Sequence, residues 1–437
     1  RPSSYGHQNL LIQTMTGILR QLPRVTHTHI AATHLHQCQH RLSSSTNTAA
    51  HRTQLDDDNE FDLCVLGCGS GGFSGAVRGW DYGKRVAVIN PQQHIGGATI
   101  HNGALSSKVM WQLSRQARHL RSIYQDTTKM HSFESMRNRV FESTNIKTTH
   151  YLRTLQGLHL DGERSPVRYS ADEDGGGGDI TFFNGTAKFV DRHVVQIYDE
   201  QNKPVRTLKS RFFLIATGSR PRRVISRNGF SVEADGEYIL TSDDILTEKG
   251  MRDWPDSMLI YGAGVIGCEF ATIFSNYGIT KNIILFNDGR DRLLPREDVE
   301  ISQFLTDTLQ YQSKVTVANN VVMKSMDIDY EQKKVKCVFH RIGDGNTGNE
   351  DTVIYVDKVL LASGREPNIN NIELSNATQK KEHDTGNGGH IEVDDHLRLT
   401  DKSCSHIYVC GDALGKWGLV SVAEMESRHS VEYMFAS

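Results

Sequence analysis

Twice in this chain an apolar run ends in the pattern GxGxxG and passes straight into a helix-like stretch. Nothing else in the sequence restricts the fold as much. The first run is Phe61–Leu66 (FDLCVL), followed by Gly67, Gly69 and Gly72 and then FSGAVRGWDYGK; a further run, Arg85–Asn90, completes a strand–helix–strand unit. The pattern recurs at SMLIY (257–261), with Gly262, Gly264 and Gly267, helix-like CEFATIFSNYG and the run NIILF. Short continuous apolar runs are what strands buried on both faces of a parallel sheet require. At such a junction the first Gly makes the tight turn and the second lets the backbone approach a pyrophosphate. The third lets the helix pack closely on the strand. The helix's first turn then offers unpaired N–H groups and a positive dipole end to the phosphates. Two junctions of this kind predict an α/β chain with two doubly wound, Rossmann-like, dinucleotide-binding domains.

Two dinucleotide sites in one chain point to hydride transfer between carriers. The simplest pairing is FAD in one site and a nicotinamide dinucleotide, NAD or NADP, in the other. The rest of the composition agrees with a globular enzyme. The length of 437 residues allows two or three domains, and 37% of the residues are hydrophobic. No apolar run approaches the roughly 18–20 residues that span a bilayer, so no membrane association is expected. A formal charge of −3 is too balanced for a nucleic-acid binder. The seven Cys form no CxxC pair, and each reads as a small buried apolar residue; no metal site emerges.

Charge is unevenly spread. Residues 1–55 hold five Arg, seven His and no Lys, Asp or Glu, which leaves 44 basic residues against 52 acidic ones in the remainder. An acid-poor, Arg-containing, Ser/Thr-rich leader is the signature of an organelle transit peptide, and Leu10–Leu22 fits a short amphipathic helix within it. Residues 1–60 are therefore expected to be a disordered leader, and the mitochondrial matrix the destination. Further strands are expected at Phe212–Ala216, Val356–Ala362 and His406–Cys410. The Gly-rich, charged stretches near 171–179 and 379–390 read as surface loops.

From residue 61 onward the chain resembles the pyridine nucleotide–disulfide oxidoreductases, the two-dinucleotide flavoproteins. The resemblance rests on four further signatures: Gly96–Lys108 (GGATIHNGALSSK), Ala216–Pro221 (ATGSRP), Ala362–Asn368 (ASGREPN) and His406–Gly415 (HIYVCGDALG). Within the family the chain is most similar to the soluble, Si-specific pyridine nucleotide transhydrogenases, through LIYGAGVIGCEFATIF (259–274) and GRDRLL (289–294). The resemblance implies an FAD domain made of residues 61–222 and 366–437, with an NAD(P) domain, 223–365, inserted into it. It places Gly96, Gly97, Thr99, Thr217, Gly218, Gly411 and Asp412 at the flavin, with Asp412 on the ribityl chain. Lys108 and Glu269 match the family's ion pair beside the flavin, and His101 matches a His of the subgroup's crossing segment. The implied reaction passes hydride from NADPH to NAD through flavin N5, in ping-pong order.

Three departures bear on that reading. A dithiol reductase carries two Cys five positions apart in the crossing segment, where this chain has Thr99 and Ala104. Thiol–disulfide exchange is excluded there, whereas hydride transfer needs no thiol. Asn90 stands where the family places an acid for the adenosine ribose, so it is expected to face that sugar without a charge. The sequence starts at Arg1 and stops at Ser437, so the family's C-terminal interface domain is not among these residues. That is read as an incomplete sequence, and a homodimer is expected only if the natural protein carries the domain. Two alternative functions remain: a dihydrolipoamide-dehydrogenase-like or other NAD(P)H diaphorase, and a catalytically idle cofactor-binding protein.

At the nicotinamide site, the strand NIILF ends at Asn287, twenty-five residues after Gly262. Neutral Asn287 is expected to bond the ribose, Asp288 to turn outward and Arg290 to reach a 2′-phosphate.

Overall fold

The computed structural model describes residues 59–124, 132–157, 178–227, 229–342, 351–378 and 391–436. The expected leader helix at Leu10–Leu22, residues 171–177 of one expected loop and all of 379–390 lie outside these residues.

The first apolar run forms β1 (Glu60–Leu66), and α1 (Ser70–Asp81) begins inside the glycine motif. Next come β2 (Arg85–Asn90), α2 (Gly97–Ile100), α3 (Ala104–Ile123) and α4 (Phe133–Gly157). The strands β3 (Asp179–Asn184), β4 (Thr186–Asp191), β5 (Val194–Tyr198) and β6 (Pro204–Ile215) follow. Short strands lead away from this sheet: β7 (Ser219–Pro221), β8 (Val224–Arg227), β9 (Phe230–Glu233) and β10 (Ile239–Thr241).

The second motif joins β11 (Ser257–Tyr261) to α5 (Val265–Tyr277), and β12 (Asn282–Asp288) and α6 (Val299–Asp307) come after it. A meander of β13 (Thr316–Asp329), β14 (Lys334–Arg341) and β15 (Thr352–Val356) then returns to β16 (Lys358–Leu361). The chain closes with β17 (Arg365–Pro367), β18 (Ile407–Val409) and α7 (Val420–Phe435).

These strands make two sheets with one plan. In the first, the parallel strands run β3-β2-β1-β6-β18, and β4 and β5 form an antiparallel extension. In the second, they run β13-β12-β11-β16-β10, and β14 and β15 form the extension. The strand carrying each glycine motif is central, and the winding reverses direction on one side of it. This is the doubly wound order whose crevice lies at the reversal point. β18, from the end of the chain, pairs with β6, so the second sheet is inserted between strands of the first.

Two expected strands differ in extent. Phe212–Ala216 is the end of the twelve-residue β6, whose first half pairs with β5 and whose last three residues pair with β18. Val356–Ala362 is not one strand. It breaks at Asp357, whose carboxylate accepts from the Ser257 N–H at 2.8 Å and from its hydroxyl at 2.7 Å. The break moves the chain from the meander edge into the parallel core.

Alternation sets the faces of both sheets. Cys64 and Leu66 join the core on one side of β1, and Leu63 and Val65 join that on the other. Met258 and Ile260 pack with α5, and with Met110 and Ala117 of α3 and Phe133, Met136 and Val140 of α4. One apolar cluster therefore continues from the second sheet into helices that belong to the first part of the chain. The helices approach closely because the buried face of α3 is mostly small: Ser106, Ser107, Met110, Ser114 and Ala117.

The first and third glycines of each motif are steric necessities. Gly67 and Gly262 have φ of +102° and +114°. A Cβ on them would lie 2.4 Å from the Ala216 carbonyl oxygen and 2.6 Å from that of Ala362. A Cβ on Gly72 or Gly267 would meet the first glycine's oxygen at 2.0 or 1.9 Å. The middle glycines are different: nothing lies within 4 Å of a Cβ on Gly264, and only the Gly97 Cα, at 4.0 Å, is near one on Gly69. Gly267→Ala is therefore expected to destabilise the chain by ~1–3 kcal/mol or more in urea denaturation, through overpacking. Gly264→Ala should cost under about 1 kcal/mol, the loss of a favourable N-cap residue.

Candidate active site

At the first reversal point Gly69 is the N-cap of α1, with no side chain capping the helix and no acid in its first turn. The N–H groups of that turn face the open space left by the middle glycine. The crossing segment closes over them from the side. Gly96 donates its N–H to the Cys68 carbonyl at 2.7 Å, and a Cβ on Gly97 would sit 3.1 Å from the Gly69 Cα. The Thr99 hydroxyl donates to the Ser70 hydroxyl oxygen at 3.1 Å, and the His101 Nε2 meets the Ile95 carbonyl at 2.9 Å. Asn90 is placed differently from the sequence expectation. Its Oδ1 accepts the Cys68 N–H at 2.9 Å and its Nδ2 donates to the Pro91 carbonyl at 2.7 Å. The amide ties the glycine loop to the chain just after β2, and the bond to Pro91 uses a donor that an ionised carboxylate lacks.

Signatures far apart in sequence meet at the mouth of β6. β7 and β17 pair as an antiparallel ribbon, so the outgoing and returning chains are hydrogen-bonded to each other. Arg365 Nε donates to the Ser219 hydroxyl oxygen at 2.9 Å, and that hydroxyl donates to Asp412 Oδ2 at 2.6 Å. One relay thus joins the return, the exit and the second flavin-type motif. That motif also sits against the first, because a Cβ on Gly71 would lie 3.1 Å from the Cys410 Sγ. Gly411 donates its N–H to Glu426 Oε2 at 2.7 Å, and burial pushes the Glu426 carboxyl above its ordinary value of 4.5. Thr217 Oγ1 is buried with no partner among the described residues. Gly218, beside it, takes a φ of +70°.

Lys108 and Glu269, 161 residues apart, meet at 2.6 Å. Glu269 lies in the second turn of α5 and is mostly shielded, with 17% of its side chain exposed against 66% for Lys108. The Ser107 hydroxyl donates to the same Glu269 oxygen at 3.1 Å. Two turns along the seam between α3 and α5, Asn276 Nδ2 donates to the Ser114 hydroxyl oxygen at 3.2 Å. No thiol among the described residues is positioned for exchange. The described cysteines are all buried, and burial pushes the thiol of Cys68, beside the cradle, up to about 12.

At the second reversal point Gly264 is the N-cap of α5, also without a side-chain cap or a first-turn acid. Here the expectation for Asn287 and Asp288 is reversed. Asn287 is 2% exposed, and its Nδ2 gives both hydrogens away, to the Arg292 carbonyl at 2.8 Å and Asn319 Oδ1 at 2.9 Å. Its amide hydrogens fasten the turn after β12 and are not available to a ribose. Asp288 points inward, where the Tyr261 hydroxyl donates to its Oδ2 at 2.8 Å. The register shifts between Asn287 and Asp288 because β13 carries an extra residue, Asn320, between their partners Asn319 and Val321, and no periodicity in the sequence reports such a bulge. Arg290 is exposed on the turn. Arg227, which the sequence did not single out, stands beside Asp288 at 3.7 Å.

Two cradles at the reversal points of two similarly wound sheets define a two-dinucleotide oxidoreductase fold. The model of the pyridine nucleotide-disulphide oxidoreductase family matches residues 61–427, and the chain belongs to that family. A soluble pyridine nucleotide transhydrogenase from Chromohalobacter salexigens is 31% identical over 373 residues, covering 85% of this chain and 70% of that one. A dihydrolipoyl dehydrogenase from Bacillus subtilis is 28% identical over 397 residues, covering 86% and 71%. Among solved structures, LpdA from Mycobacterium tuberculosis shares the fold, with a TM-score of 0.67 at 21% identity over 86% of this chain and 72% of that one. The family's cofactors are FAD and NAD(P), and both cradles fit a dinucleotide: uncapped helix starts, open middle glycines and, at the first, the orphaned Thr217 hydroxyl.

Asp412→Ala should purify depleted of FAD, because a charge-assisted hydrogen bond to a sugar hydroxyl contributes about 1.5–3 kcal/mol; flavin absorbance per protein checks it. Glu426 makes a separate prediction. A carboxyl with a raised folded pKa adds stability below its ordinary value and loses it as pH rises through the raised value. Glu426→Gln should therefore gain in melting temperature relative to the parent chain as pH is raised from about 4.5 toward neutrality.

Proposed function

We propose that this chain is an FAD-dependent oxidoreductase that passes hydride from NADPH to NAD. The observation that carries the reading is the Lys108–Glu269 pair, set beside a crossing segment with Thr99 and Ala104 where a dithiol would stand. FAD, when bound, supplies a two-electron store that accepts hydride from one nicotinamide and returns it to another. The remaining tasks fall to the protein's own groups. Lys108 offers a fixed cation where negative charge develops on reduction, and Glu269, with Ser107, holds that cation in position. Thr99 and His101 are tied to Ser70 and Ile95, so the crossing segment keeps its shape without a disulfide. A single nicotinamide site at the second cradle serves the two dinucleotides in turn, which requires ping-pong order.

The transhydrogenase relative supports this reading. A dihydrolipoyl-dehydrogenase-like activity is opposed by the missing Cys pair and by the buried state of the described thiols. For residues 1–60 we infer import into the mitochondrial matrix, supported by their acid-poor, Arg- and Ser/Thr-containing composition.

Anaerobic NADPH should bleach the flavin band of the purified protein, and NAD should restore it with formation of NADH. Lys108→Met should slow the bleaching about tenfold, equivalent to ~1.4 kcal/mol of barrier, while flavin content stays unchanged. Protein that holds flavin but is not bleached by NADPH would remove the transhydrogenase reading.

A further inference from the structure

The acid at the end of β12 is buried and bonded within the sheet. Asp288 is 8% exposed, and its oxygens are satisfied within the sheet: Oδ2 by the Tyr261 hydroxyl at 2.8 Å and Oδ1 by the Met323 N–H at 3.2 Å. Tyr261 is the last residue of β11, directly before Gly262, so the acid is latched to the strand that carries the cradle. Burial, and then Asp288 itself, push the Tyr261 hydroxyl up, which keeps it a donor. An acid in the usual position bonds a 2′-hydroxyl and repels a 2′-phosphate. Here the acid is bonded within the sheet instead.

Arg227, the last residue of β8, occupies the same corner. Its Nη1 lies 3.7 Å from Asp288 Oδ2 and 3.5 Å from the Asp288 carbonyl oxygen. Its Nη2 is 3.4 Å from where a Cβ on Gly289 would be. The guanidinium therefore lies over the strand end, in van der Waals reach of Gly289. Its side chain is 46% exposed, so donors remain for a phosphate in the fork geometry that arginine offers. Arg290 is exposed on the turn with no side-chain partner among the described residues, so binding through it would immobilise a free side chain at an added entropic cost. Arg227 is already held.

We infer that Arg227 recognises the 2′-phosphate of NADP(H) at the second cradle, with Tyr261 keeping Asp288 out of the phosphate's way. The inference rests on reading that cradle as the nicotinamide dinucleotide site, and it assigns the site's phosphate specificity to a residue outside the strand–helix–strand unit.

The test is calorimetric titration of the FAD-loaded chain with 2′,5′-ADP and with ADP. The unaltered chain should bind both. Arg227→Gln should weaken 2′,5′-ADP about tenfold or more and change ADP less than about twofold. Tyr261→Phe, which frees Asp288, should also weaken 2′,5′-ADP selectively. Arg290→Ala should leave the ratio of the two affinities within about threefold. Should Arg227→Gln lose both ligands, Tyr261→Phe decides: a selective loss of 2′,5′-ADP supports the inference, and an unchanged ratio overturns it. An Arg227→Gln chain that keeps both affinities, or a selective loss in Arg290→Ala alone, overturns it while the cradle's role stands. An unaltered chain that binds ADP but not 2′,5′-ADP has the same consequence. If the unaltered FAD-loaded chain binds neither, the reading of the cradle fails and the inference falls with it.

Discussion

Both binding sites depend on one close approach: a glycine at the end of a central strand pressed against the carbonyl of an alanine at the end of its neighbour. Gly67 meets Ala216 in this way and Gly262 meets Ala362. The contact brings β1 and β6, and β11 and β16, to the same height at the reversal point, and it turns the following helix start toward the crevice. The third glycine then brings the helix down onto the turn. Once these two contacts are satisfied, the N–H groups of α1 and α5 have only one direction to face. The middle glycine adds no packing, and that vacancy is what a pyrophosphate needs.

The second organising contact is the seam between α3 and α5. Small residues on α3 admit α5 closely, and a shared apolar cluster continues across the junction. The polar contacts along it are few, and each has a separate role. The Lys108–Glu269 pair has an exposed cation, so its contribution to stability is small, about 0–1 kcal/mol. Its value is positional: an acid in the second nucleotide-binding unit holds a cation belonging to the first. Asn276 and Ser114 bind the same two helices further along.

Much of this was legible in the sequence because it depends on local sterics. A GxGxxG between an apolar run and a helix has few other solutions, and two copies predicted two similarly wound sheets. The pairing of Lys108 with Glu269 was legible only through family resemblance, since no local rule links residues 161 positions apart. The long helix α4 was not anticipated, although Phe133, Met136, Val140, Thr144, Tyr151 and Leu155 recur at helical spacing along it. The strand expected at Val356–Ala362 was misread because its apolar run is continuous, whereas the break comes from Asp357 bonding Ser257 a hundred residues away.

The sequence by itself determined the two cradles, their order along the chain and the absence of a thiol pair beside the first. These follow from residue type and spacing alone: glycine where no Cβ fits, and Thr and Ala where a dithiol would need Cys. Only the tertiary structure decided what the polar residues at the strand ends do. Asn90 braces a loop, Asn287 fastens a turn, and Asp288 is drawn inward by Tyr261, with Arg227 over it from a distant strand. A side chain at a strand end is committed by whichever partner reaches it first in space. Those partners come from elements that sequence spacing does not bring together.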